Sequence, residues 1–144
     1  MIGQYQNPIV SGVVSLIVPF IQIFALYVII HGHYGPGGGF QGGVILAASM
    51  MLLRLSLGEE DEHRRFSPTA ASVVAIIGIL IYALTGLLPL LFGGEFLDYA
   101  HLPIPGISGP DLRSLGILIV ETAVGMVVWG TLVIVFDHLL GSEP

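Results

Sequence analysis

A single carboxylate, Glu121, stands inside the apolar run Ile117-Leu-Ile-Val-Glu-Thr-Ala-Val-Gly-Met126. Placing an acid within a membrane span costs about 2.5–3.5 kcal/mol on insertion scales, so it must face protein, water or a partner charge. Two chemistries fit. Glu121 either takes up and releases a proton or cation on an ion pathway, or it stays neutral and hydrogen-bonds between helices. Gly125, one turn further on, leaves room for another helix to approach the acid closely. His31 and His33 are the next candidates, since histidine titrates near neutral pH and suits a proton relay. Two positions apart, they do not share a helix face, so the i, i+4 pair of a metal site is absent. The plainer reading makes them interfacial side chains bonded to water and loop carbonyls. Asp137, followed by His138, either extends a proton path or caps a helix end.

The histidines open a segment dense in glycine, His31-Gly-His-Tyr-Gly-Pro-Gly-Gly-Gly-Phe-Gln-Gly-Gly43. Gly37 to Gly42 matches G-x-G-x-x-G letter for letter, but that fingerprint needs a preceding strand in a βαβ unit. An apolar helix precedes it here, and the chain has no lysine to hold a phosphate. A structural reading explains these residues better. Pro36 restricts Gly35 and sets the turn. Gly37, Gly38, Gly39, Gly42 and Gly43 permit close backbone approach, and Phe40 and Gln41 lie among them. Gln41 and the free amides at the next helix start could hold an anion or orient water. The alternative is a tight turn buried against a neighbouring subunit.

Composition decides the solvent in which these residues act. Of 144 residues 54% are hydrophobic and 10% charged, with a mean hydropathy of +0.92. Soluble domains carry roughly 25% charged residues. The net charge of −6 and the lack of a basic face exclude nucleic acid as a partner. There is no cysteine, which removes disulfides, thiolate metal sites and iron–sulfur ligation. No metal or cofactor is expected, and no catalytic residue.

These observations give an all-α integral membrane protein. The whole chain, 1–144, reads as one four-helix membrane domain with spans at about 9–30, 39–57, 69–92 and 114–138. The second is preceded by the glycine-rich, helix-breaking loop. Its strictly apolar part, 44–53, is too short for a core of about 30 Å, so the helix must begin in the glycine run near Gly39. Poorly helical backbone then lies close to membrane depth, where it persists only when packed against protein or lining a wet cavity. Pro19 should kink the first span, with Gln22 bonding between helices. Ser67-Pro68 suits a helix start. Arg54 should snorkel to the interface, and Tyr34, Phe96 and Tyr99 look like interfacial anchors. Arg54, Arg64 and Arg65 flank the connection between spans two and three, against Arg113 alone on the other side. The positive-inside rule therefore puts that connection and both termini in the cytoplasm. The long segment 93–113, rich in proline and glycine, then faces outward as a partner surface.

The order helix, Gly32-His33-Tyr34-Gly35-Pro36-Gly37-Gly38-Gly39-Phe40-Gln41-Gly42-Gly43, short apolar helix resembles the MnhB-type subunits of the multisubunit Mrp/Mnh sodium/proton antiporters. The likeness extends through span three and the acidic outer loop to Leu115-Gly116-Ile117. Such subunits often carry Phe-Asp-Leu-Gly-Val where this chain has Arg113-Ser114-Leu115-Gly116-Ile117, and the resemblance does not supply Glu121. It implies a small four-helix protein of a prokaryotic plasma membrane. Such a protein works beside a large antiporter-like subunit and small helical subunits, in an antiporter or in the antiporter module of a complex I-related membrane-bound hydrogenase-type assembly.

Two functions follow as expectations. The chain is a non-catalytic subunit helping to form a sodium or proton path, because one buried acid and two loop histidines are too few for an independent antiporter. Alternatively, it is a purely structural assembly subunit packed between larger ones. An enzyme built on His31, His33 and Asp137 is disfavoured, since the topology puts the histidines and Asp137 on opposite membrane faces.

Overall fold

A computed structural model describes residues 8–34, 38–57 and 67–141. Four long helices account for most of it: α1 (Pro8–Ile30), α2 (Gly39–Leu57), α3 (Pro68–Leu91) and α4 (Pro110–Gly141). Short 3₁₀ turns at Gly32–Tyr34 and Tyr99–His101 lie in the connections after α1 and α3. Each long helix is apolar and long enough to cross a membrane, and α2 is the least apolar of the four. The fold class is all-α with four spanning helices.

Local sequence accounts for the ends. Ser67 caps α3 by accepting from the Ala70 amide at 3.2 Å, with Pro68 in the first turn. α4 begins at Pro110, ahead of the apolar run, with Asp111 in the first turn, where the helix dipole favours an acid. α1 continues as α-helix through Pro19. α2 begins within the glycine run. Gly38 precedes its first turn, and the Gly38 amide donates to Gln41 Oε1 at 3.0 Å. That reach of the third helical residue back to the cap amide is half of a capping box.

α2 and α4 form the middle of the bundle. α1 packs on α2, and α3 packs along α4. Small residues set these spacings. A Cβ on Gly78 of α3 would stand 2.7 Å from the Ala123 carbonyl, and one on Gly130 of α4 would stand 2.6 Å from the Ala71 carbonyl. Lipid gives little hydrophobic drive between helices, so close backbone approach replaces it. Ala47, Ala71 and Val133 form a buried core cluster, flanked by Met50, Met51 and Trp129. Outside it the helices show apolar faces, such as Leu16, Ile23 and Leu80, as a protein solvated by lipid must.

Candidate functional site at the break before the second helix

The start of α2 meets α4 at Glu121. A Cβ on Gly39 would overlap the Glu121 carbonyl oxygen, and one on Gly38 would lie 2.7 Å from Glu121 Oε1. One turn down, a Cβ on Gly43 would stand 2.7 Å from the Gly125 carbonyl. One on Gly125 would lie 3.2 Å from the Gly39 carbonyl. Gly39 and Gly43 of α2 thus oppose Glu121 and Gly125 of α4, and the members of each pair are one helical turn apart. Gly42 faces the other way, onto Ala25 and Ile29 of α1. The glycines are notches that bring three backbones together at one level.

This packing puts a carboxylate at the amino end of a helix. The first amides of a helix have no acceptor four residues back, and the aligned peptide dipoles place roughly half a positive charge there. Glu121 Oε2 is buried. Residue 121 lies 11 positions into α4, about 16 Å from its start, well inside the apolar segment. The amino end of α2 therefore stands directly beside the Glu121 carboxyl group, within the apolar length of α4.

The connection between α3 and α4 closes over this end of the bundle. The Phe96 ring sits in a notch at Gly86 and meets Tyr82 edge-on at 6.5 Å. Tyr99 lies against Gly116, where a Cβ would come within 2.7 Å of its ring. Phe96 and Tyr99, expected as interfacial anchors, thus tie the connection down onto α3 and α4. Burial pushes the Tyr99 phenol up, and the charges of Tyr82 and Glu121 push it further. Asp98 accepts from the Ala100 amide, and its carboxylate lies 2.6 Å from His101 Nδ1. The hydrogen bond with His101 holds the Asp98 carboxyl below its usual range.

The other sequence candidates do not converge on Glu121. His31 turns back on its own helix: its Nδ1 lies 3.1 Å from the Tyr27 carbonyl, and its ring stacks on Tyr27 at 4.1 Å. The backbone of His33 belongs to the 3₁₀ turn, while its side chain, Pro36, Gly37, Arg64 and Arg65 fall outside the described residues. Asp137 is 16 residues beyond Glu121 on α4, about 24 Å along the axis. It pairs there with Arg54, the two side chains being 9% and 1% exposed. This corrects the expectation for Arg54. It does not snorkel outward; its guanidinium turns inward because Asp137 supplies a countercharge where α2 and α4 end together. Both residues sit near the ends of helices that leave the membrane on the same side, a signal that could have suggested the pair. His138 Nδ1 lies 2.8 Å from the Ile134 carbonyl. Among the described residues no group of three or more metal-ligating side chains forms.

The comparisons with known proteins agree with this architecture. The family model described as "Domain related to MnhB subunit of Na+/H+ antiporter" matches residues 9–134. A protein of Staphylococcus haemolyticus named "Putative antiporter subunit mnhB2" is 37% identical over 131 residues, covering 85% of this chain and 91% of the relative. A protein of the same name in Staphylococcus aureus is 35% identical over the same shares. With the glycine-notched start of α2 and four spanning helices inside the matched region, the chain belongs to the MnhB family of membrane subunits.

Proposed function

We propose that this chain is a non-catalytic MnhB-type subunit of a multisubunit sodium/proton antiporter. In this reading Glu121 gives the ion path a carboxylate that is neutralised and released in turn by a proton or a sodium ion. The carrying observation is the Glu121 carboxylate against Gly38 at the amino end of α2. Two opposed influences act there: the helix terminus favours the charge, and the apolar surroundings favour neutralisation. A group so balanced can change its cation without a second buried acid.

The remaining parts belong to the same proposal. The chain, one membrane domain, sits in a prokaryotic plasma membrane with both termini on the arginine-rich, cytoplasmic side. A large antiporter-like subunit and small helical subunits surround it, and His31, His33 and Asp137 connect the path to either surface. The same part would serve in the antiporter module of a redox-driven assembly such as a membrane-bound hydrogenase complex. The subunits that co-purify distinguish the two hosts.

The glycine contacts favour a second reading, a packing subunit without a role in transport. Glu121→Gln separates the readings, because it keeps shape and removes the exchangeable charge. Sodium-driven proton movement is measured in vesicles carrying the intact assembly. The ion-path reading expects a loss of at least about 10-fold, the effect of about 1.4 kcal/mol on a barrier. A wild-type rate with normal assembly leaves the packing role alone standing.

A further inference from the structure

Three contacts between α2 and α4 share one register. Gly39 meets the Glu121 carbonyl, Gly43 meets the Gly125 carbonyl, and Arg54 pairs with Asp137. The partners are 82, 82 and 83 positions apart in the chain. The two helices thus run parallel and in step over about 24 Å, the rise from Glu121 to Asp137.

The glycine contacts by themselves do not fix this height. Gly39, Gly43 and Ala47 recur every four residues on α2. A slide of one turn, about 5.4 Å, therefore sets Gly43 against Glu121 and Ala47 against Gly125. Met51 then comes level with Trp129, and methionine adapts its shape to such gaps. The close backbone approach that holds helices together in lipid survives the slide. The amino end of α2 does not. The Gly42 amide donates to the Gly38 carbonyl at 3.0 Å, so the amides without a helical acceptor end at Gln41. After the slide Glu121 faces amides already used within the helix.

The ion pair forbids that slide. Its side chains are 1% and 9% exposed, and an arginine keeps its charge. One turn of displacement takes the guanidinium away from its carboxylate, to the level of the apolar Leu132 and Val133. Parting a buried ion pair is strongly destabilising, and fixing register is the best-attested use of buried polar groups. We infer that Arg54 and Asp137 are positioning residues: their pair sets the height of α2 on α4 and so keeps the open amino end of α2 at Glu121. The bearing of this register on transport rests on the role proposed for Glu121; the register itself does not.

Spin labels on cysteines introduced at 55 and 113 test it in the purified intact assembly, with single-site labels as background. The chain has no cysteine of its own, and Leu55 and Arg113 are exposed. In the register of the structure the two positions are about 36 Å apart along the bundle, and a slide of one turn changes that by about 5 Å. Arg54→Leu with Asp137→Leu removes both charges and keeps the contact apolar, so the helices still pack. It should show a second distance, displaced by about 5 Å, beside the native one. The exchanged pair, Arg54→Asp with Asp137→Arg, should show the native distance alone. Arg54→Met with Asp137→Leu gives the same reading if the leucine pair does not assemble. A single unshifted distance in the apolar pairs overturns the inference, because packing alone then sets the height. A second distance in the exchanged pair also overturns it, because opposite charges then do not restore the register. Neither readout uses transport, so failure here is distinct from a wild-type rate in Glu121→Gln.

Discussion

The contact between Gly39 and Glu121 gives the sharpest test of the site. Gly39→Ala would set a methyl group on the Glu121 carbonyl oxygen. That neighbour is backbone on α4, which no rotamer change can move aside. The start of α2 must lift from α4 by on the order of 1 Å, and overpacking of this kind costs about 1–3 kcal/mol. Gly39 is the first residue of α2, so the gain that alanine brings in a helix interior does not offset this loss. Function should suffer more, because lifting α2 takes its amino end away from the carboxylate, and a 1 Å displacement at a working site can cost on the order of 100-fold. Gly12→Ala is the control. Nothing lies within 4 Å of a Cβ built there, so it should stabilise α1 by up to about 1 kcal/mol and leave exchange untouched. Thermal unfolding in detergent and sodium-driven proton movement in vesicles are measured for both. If Gly39→Ala behaves like Gly12→Ala in both assays, the close approach of α2 to Glu121 is not what the site depends on.

Three further outcomes follow from the remaining geometry. Arg54→Leu or Asp137→Asn alone should cost about 3–5 kcal/mol by leaving one buried charge uncompensated, whereas Arg54→Leu with Asp137→Leu should recover most of it. Thermal unfolding reads this, and equal losses in single and double variants would contradict the pairing. The Asp98 carboxyl is held below its ordinary value of 3.8, chiefly by its hydrogen bond with His101. Its support of the connection between α3 and α4 is therefore complete above about pH 3.8 and fades as pH falls through the lower folded value. Hydrogen exchange over residues 98–101 should show that acid-dependent opening, and Asp98→Asn should abolish it. Gly86→Ala would push the Phe96 ring from its notch, so protease access to the segment around 93–98 should rise at least severalfold; unchanged access would detach Phe96 from that role.

Much of the fold was readable from composition and span length. An apolar chain with four long runs has one solution in lipid, because every backbone amide must be satisfied within its own segment. The depth of Glu121 followed from its place in the last run. The start of α2 within the glycines followed from the shortness of the apolar stretch after them. The candidate site was readable only in its parts. Glycine spacing announces close approach without naming what approaches, and Arg54 looks from sequence like any interfacial arginine.

The amino-acid order alone thus determined the solvent, the helices, an acid within the last apolar run and a helix that starts inside the glycine run, since these depend on local transfer free energies and backbone propensities. Only the tertiary structure decided that Glu121 faces the amino end of α2, that Arg54 turns inward to Asp137, and that Gly39 and Gly43 oppose Glu121 and Gly125. Each of these is a pairing between helices separated by many residues in the chain. Such pairings depend on which faces meet and at what height, and helix packing sets that only when all four segments are in place.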